Sequence, residues 1–319
     1  RFYQDGGYRQ ETAQALLLFG RANRQKGDYD AALRAFEQQL ATAEQEQNIP
    51  RQALAQEGLG TVLFRRERYV EALTHFENSY SLFSKSDNQL AIANSMINRA
   101  GMLLALGRYQ EAQGILAEAS EKAAKVGNKQ LQVSIGLQQA KAALSQRNFS
   151  EAKAKSNSAL DVATASQFKG SIIEGKRILG LALTISNQKR DGVKLCREAV
   201  ELAEQLKDPW EMSTTRLTLA GALLESGDTD NSLTNALAVE ETFTRTLQQD
   251  SGWQALLIAA RALQQKGDTG KAREYAKRSA DLLAGLEETL EKDPYSNYLS
   301  RPDVANGRQQ LQQLLIDKN

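Results

Sequence analysis

LGTVLFRRERYVEALTHF, residues Leu59 to Phe76, holds the end of one helix, a tight turn at Arg66–Arg68 and the opening of a second helix. Tyr69 follows the turn, Ala72 comes three residues later and Phe76 four after that. The same punctuation returns every 40 residues, with Tyr29, Tyr69, Tyr109, Phe149, Lys189, Thr229 and Thr269 at the turn-following position. Self-similarity at a fixed period marks a repeat architecture, in which no unit buries its apolar face alone and stacking supplies the core. Seven helical hairpins, fourteen helices in all, are therefore expected.

Two further columns keep that register. Nine residues before the turn-following position stand Gly20, Gly60, Ala100, Ala140, Gly180, Ala220 and Ala260; three after it stand Ala32, Ala72, Ala112, Ala152, Gly192, Ser232 and Ala272. Small residues on both antiparallel helices let the axes approach where they cross, and a bulky one would overpack the contact. Repeat two carries Leu59-Gly60 and Ala72…Phe76, and repeat one carries Phe19-Gly20 and Ala32…Phe36. In these columns the chain resembles the tetratricopeptide repeat (TPR), whose signature pairs Leu-Gly with Ala-x-x-x-Phe. The resemblance covers roughly residues 11–290 and points to a 40-residue-unit subclass, since the usual unit is about 34 residues. The extra residues add roughly 9 Å of helix per unit. HEAT and armadillo units, about 40–47 residues long, are the structural alternative.

The expected fold is all-α: a right-handed α-α superhelix, a TPR-like solenoid of about seven helical hairpins plus a C-terminal capping helix. Residues 1–10 (RFYQDGGYRQ) read as a tail or linker remnant, 11–292 as the solenoid, and 293–319 as a C-terminal loop and capping helix. Gly27 is expected to end the first helix in a left-handed cap, with Asp28 capping the next. Asn148, Asp228 and Asp268 offer the same side-chain oxygen to the helices that follow them. Pro50 and Pro209 suit first turns, where a missing amide hydrogen costs little. The beat stops at Asp293-Pro294, and PYSNYLSRPDV, with two prolines, reads as irregular before a helix from about Asp303 to Ile316.

Composition narrows the function. The 319 residues carry a net charge of +1 and no long run of one sign, which gives no bulk attraction to nucleic acid or an anionic membrane. No apolar run approaches the ~18–20 residues that span a bilayer, so no membrane insertion is expected. Four prolines among abundant Ala, Leu, Gln, Glu and Lys favour nearly continuous helix. The lone Cys196 excludes an internal disulfide and fits a reducing, cytoplasmic location. Arg1 in place of an initiating Met reads as the start of an excised or processed piece of a larger protein, and the Gln- and Ala-rich composition fits a bacterial source.

Chemistry is scarce. His75 is the only histidine, so neither a Ser–His–Asp nor a Cys–His pairing is at hand, and one His with one Cys makes no conventional zinc site. Cys196 falls in the packing column of Phe36, Phe76 and Leu116, where a thiol is inert. Acidic residues alternate with Lys and Arg at helical spacing, and the glycines sit at helix ends and crossings rather than in a phosphate loop. Trp210 and Trp253 open the first helices of repeats six and seven and read as inter-repeat packing. No enzyme, no cofactor and no metal are expected.

What a solenoid of hairpins does offer is a concave surface lined by its first helices. Helical phase places Arg21, Thr61, Asn98, Gln138 and Lys141 toward that groove, with Asn94 and Ser134 nearer the helix starts and Arg177 in repeat five. Amide side chains such as Asn94, Asn98 and Gln138 can bond the backbone of an extended peptide. Arg21, Arg24 and Arg65 can pair with carboxylates. The TPR resemblance implies a non-catalytic scaffold holding a protein or peptide segment. The alternative is a ligand- or peptide-sensing domain of a bacterial signalling or transcription regulator. The chain has no clear two-asparagine, multi-lysine clamp of the kind used for chaperone tails, so chaperone C-termini are not the expected partner.

Overall fold

The computed structural model describes residues 9–316, all of whose regular structure is helical. Seven hairpins follow one another. The first three are α1 (Arg9–Lys26) with α2 (Tyr29–Gln45), α3 (Ile49–Arg65) with α4 (Tyr69–Phe83), and α5 (Gln89–Ala105) with α6 (Tyr109–Val126). Next come α7 (Lys129–Ser145) with α8 (Phe149–Ala165) and α9 (Lys169–Ile185) with α10 (Lys189–Leu206). The last two are α11 (Pro209–Ser226) with α12 (Thr229–Thr246) and α13 (Gln249–Gln265) with α14 (Thr269–Leu290). They stack as a right-handed superhelix in which successive first helices lie side by side.

The hairpin turns have the expected chemistry. Asp28, Asn148, Asp228 and Asp268 each accept the backbone amide three residues on, as do Asn48, Asn88 and Asn128 at the junctions between repeats. Each saves an otherwise orphaned amide at a helix start, a contribution of about 1 kcal/mol. Gly27, Gly107, Gly227 and Gly267 take the left-handed conformation, but so do Glu67, Arg147 and Asn187 at the same turn position. Such a backbone costs a residue with a Cβ roughly 1–2 kcal/mol, so packing on both sides imposes it there.

Inside each hairpin the small column meets the large one. A Cβ placed on Gly20 would lie 2.8 Å from the Phe36 ring, one on Gly60 2.8 Å from Phe76, and one on Gly180 2.6 Å from Cys196 Sγ. Phe36 is pressed from the other side by Gly58 of the next repeat, 2.5 Å from a Cβ built there. Cys196 is fully buried, and burial pushes its thiol up to about 12.

The superhelix closes on itself. After five repeats the chain has come round, and the hairpin turns of early repeats rest on the helix starts of late ones. Gly27 faces Pro209; Glu67 bonds the start of α13; Gly107 lies against Asn297; Arg147 bonds Asn306. One superhelical turn therefore climbs by about a helix length, roughly 26 Å for 17 residues. The largest apolar cluster runs across this seam, joining Tyr69 and Leu106 to Trp253, Tyr298 and Leu311.

The chain end differs from the sequence expectation. Residues read as an irregular stretch from Asp293 form α15 (Lys292–Ser300), followed at once by α16 (Pro302–Ile316). Pro294 falls in the first turn of α15 and Pro302 opens α16, where neither removes a needed amide bond. The first described helix begins at Arg9, so Arg9 and Gln10 of the expected tail are helical; residues 1–8 lie outside the described residues. Gly307 of α16 seats on Trp253, 2.9 Å from a Cβ built there, and Val304, Leu311 and Leu314 are buried with it.

Candidate partner-binding hollow

The first helices turn one face toward the superhelix axis, and charged and amide groups from distant repeats converge there. Arg65, at the end of α3, forms a two-pronged ion pair with Asp208 at 3.1 and 2.9 Å. The same guanidinium donates to the Arg24 carbonyl at 3.2 Å and lies 5.1 Å from the Trp210 ring centre. Asp208 also caps α11 by accepting the amides of Trp210 and Glu211. Both partners of the pair are nearly buried.

Arg24 stands beside them with no ion pair among the described residues, although the charges of Asp208 and Glu57 act on it, and its Nε is buried and unbonded. Burial and the neighbouring charges of Arg65 and Arg21 pull its pKa down. Glu57, one turn before Gly60 on α3, is pushed up by burial, while Arg21 and Arg24 pull the other way and Asn98 donates to it at 3.5 Å. Across the hollow, burial raises the Glu211 carboxyl against the pull of Arg177. Burial also opposes the charge on Glu174, yet Lys141 and Arg177 hold that carboxyl below its usual range. The charges thus link repeats one, two, four, five and six.

The expected groove residues fare unequally. Arg24, Arg65, Asn98, Lys141 and Arg177 are brought into this network, with Arg21 at its exposed edge. Gln138 leans over Gly101, its Nε2 3.2 Å from a Cβ built there. Asn94 is exposed and Ser134 half-buried, one turn nearer the helix starts. Thr61 spends its hydroxyl on the Glu57 carbonyl of its own helix, at 2.8 Å. Two cations expected to be open to a ligand are already engaged: Arg65 with Asp208, because closure of the superhelix delivers that carboxylate, and Lys141 with Glu174 of the next repeat. Glu57, Asp208 and Glu211 were legible only as surface or turn residues; nothing in the sequence places Asp208 beside Arg65, 143 positions away.

Two family models described as tetratricopeptide repeat match the chain, one over residues 15–50 and one over residues 51–125. Residues 15–125 are tetratricopeptide repeats. The matched residues are repeats one to three, and the TPR hairpin continues in the same 40-residue register through repeat seven. No curated protein sequence matches the chain. Solved structures do. A Rap protein complexed with competence and sporulation factor is 10% identical with a TM-score of 0.58, over 95% of this chain and 99% of that one. The Rap conjugation gene regulator of plasmid pLS20, in complex with the Phr* peptide, is 12% identical with a TM-score of 0.60, over 96% and 98%. Aspartyl phosphate phosphatase F from Bacillus subtilis is 11% identical with a TM-score of 0.63, over 90% and 72%. At such identities the likeness is one of fold.

His75 bonds Gln56 on the outer wall of repeat two, away from the hollow's charges. Among the described residues no three His, Cys, Asp or Glu side chains are grouped to hold a metal ion, and no helix is long and apolar enough to cross a membrane.

Proposed function

We propose that this chain is a non-catalytic scaffold that takes a peptide or partner segment into its hollow. The observation that carries the reading is Arg24: a guanidinium with a buried, unbonded Nε, held against two other arginines, with the Asn98 amide close by on Glu57. The charges of Arg65 and Arg21 weigh on Arg24 more than the opposing pull of Asp208 and Glu57, and an incoming carboxylate would offset that excess with charge-assisted bonds. Support from fold analogy is that two of the similar structures were solved with a bound factor or peptide. The test is binding of a peptide library by the parent and by the double variants Arg21→Glu/Arg24→Glu and Asn94→Ala/Asn98→Ala. Both variants should lose at least tenfold in affinity with helicity unchanged; binding equal to the parent's would remove the hollow from consideration.

A second reading, a sensing domain that changes superhelical pitch when its ligand arrives, is favoured by the closed seam, since a closed turn has a distinct open state to move to. Solution scattering with and without the selected peptide separates the two. A scaffold keeps its dimensions, whereas a sensor changes them.

A further inference from the structure

The buried centre of the seam holds two carboxylates, with Arg301 a cation whose charge acts on Asp250. Glu67, in the left-handed turn of repeat two, is 6% exposed, and Asp250 on α13 is 5% exposed. Glu67 Oε2 accepts the Asp250 amide at 2.7 Å, Oε1 meets Ser251 Oγ at 2.5 Å, and the Ser251 amide lies 3.1 Å from both oxygens. Asp250 in turn receives the hydroxyls of Tyr69 and Tyr298 at 2.8 and 2.6 Å, with Trp253 Nε1 and the Gln254 amide close behind.

Every element packed here contributes. The turn of repeat two brings Glu67 and Tyr69, α13 brings Asp250, and α15 brings Tyr298. The cations nearby are otherwise occupied: Arg66 with Asp30, Arg68 with Glu71, and Arg301 with Asp303. Burial first, and the charges around Asp250 next, push both tyrosine hydroxyls well above their ordinary pKa, so they remain donors.

We infer that Glu67 is a proton-operated clasp: the seam is closed while Glu67 carries a proton and loosens when Glu67 ionises beside Asp250, which regulates access to the hollow. What is regulated rests on the binding role proposed above; the clasp itself does not. Protonated on Oε1, Glu67 can donate to Ser251 Oγ at 2.5 Å while Oε2 keeps accepting the Asp250 and Ser251 amides. Ionised, it adds a second negative charge to a buried seam, and two carboxylates that share such a site do not both ionise readily.

Burial, and then the charge of Asp250, push the Glu67 carboxyl from its ordinary 4.5 to about 8. In an opened seam water returns it to the ordinary range. The closed form therefore holds a proton that the open form releases. Closure is fully supported below about 4.5, weakens as pH rises, and is weakest above about 8. Across that window each pH unit shifts the closed-to-open ratio by up to about tenfold.

The test uses the full chain without ligand. Spin labels at Lys26→Cys and Arg245→Cys face each other across the seam between repeats one and six, while buried Cys196 stays unlabelled. Between about pH 4.5 and about pH 8 the parent's label distance should lengthen, and above about pH 8 it should change little further. Glu67→Gln, whose amide reproduces the protonated bonding, should stay short throughout. A parent distance that does not change, or a Glu67→Gln chain that opens alongside the parent, overturns the clasp. If Glu67→Gln lacks native helicity, carboxyl ¹³C titration of Glu67 in the parent decides, and a midpoint in the ordinary glutamate range overturns it. Peptide binding enters none of these readouts, so failure of the binding role and failure of the clasp are distinguishable.

Discussion

Gly60 and Phe76 state the residue-scale logic of the molecule. A helix crossing that admits a phenyl ring on one side has room for only a hydrogen atom on the other, and the columns trade volume accordingly: Gly20 faces Phe36 and Gly60 faces Phe76. Repeat five keeps the rule with Gly180 against Cys196. Gly60→Val should therefore destabilise by about 1–3 kcal/mol through overpacking. Combining it with Phe76→Leu should recover part of the loss, because the two residues touch and their effects are not additive. Denaturant unfolding of the two single variants and the double variant measures both. The sequence set Gly60 opposite the small column of Ala72; that it also seats against the Phe76 ring is shown only by the structure. The φ of +61° at Glu67 was not readable either, since only the packing of the turn against α13 imposes it on a residue with a side chain.

At the scale of the element, Asp208 does two jobs from one carboxylate. It caps α11 by accepting two amides, and it anchors Arg65 from the far side of the superhelix. The sequence announces the first job, in the turn Lys207-Asp208 before Pro209, and is silent on the second. Asp208→Asn keeps an oxygen for the amides but leaves Arg65 without a countercharge, and Asp208→Ala loses both. Removing one partner of a buried pair costs about 3–5 kcal/mol. The alanine variant should exceed the asparagine variant by about 1 kcal/mol, the worth of a cap. Thermal or denaturant unfolding that ranks the two variants equally would mean the cap contributes nothing here. The C-terminal prolines carry the same lesson in reverse: Pro294 and Pro302 read as breaks, yet each sits where a helix begins and tolerates it.

The whole molecule is a closed turn, and its C-terminal helices belong to the closure as much as to the last repeat. Tyr298 of α15 donates to Asp250 and receives the Trp253 indole at 2.8 Å, while Arg301 reaches the Ala105 carbonyl in repeat three at 2.7 Å. Cutting the chain after Leu290 should leave the seven hairpins helical while exposing Trp253 and freeing the Gly107 turn. The expected signs are a red shift of tryptophan emission with little loss of far-ultraviolet ellipticity, and a larger radius in solution scattering. Unchanged emission and radius would mean that the seam closes without α15 and α16. Of the candidate hollow, the direction each first helix faces was legible, because helical phase sets it. Which of its cations stay open to a ligand was not: Asp208 from repeat six bonds Arg65 directly, whereas Arg24 feels its charge without bonding it.

The sequence by itself determined that this is a stack of hairpins with a 40-residue beat and where the hairpin turns fall. These are consequences of local propensity, capping and periodicity, and they act over a few turns of helix. Only the tertiary structure decided that the stack closes after five repeats. That outcome depends on the small rotation between neighbouring hairpins, summed over the stack, and no single repeat encodes the sum. From it come the pairing of Arg65 with Asp208, the burial of Glu67 beside Asp250, and the Nε left unbonded on Arg24.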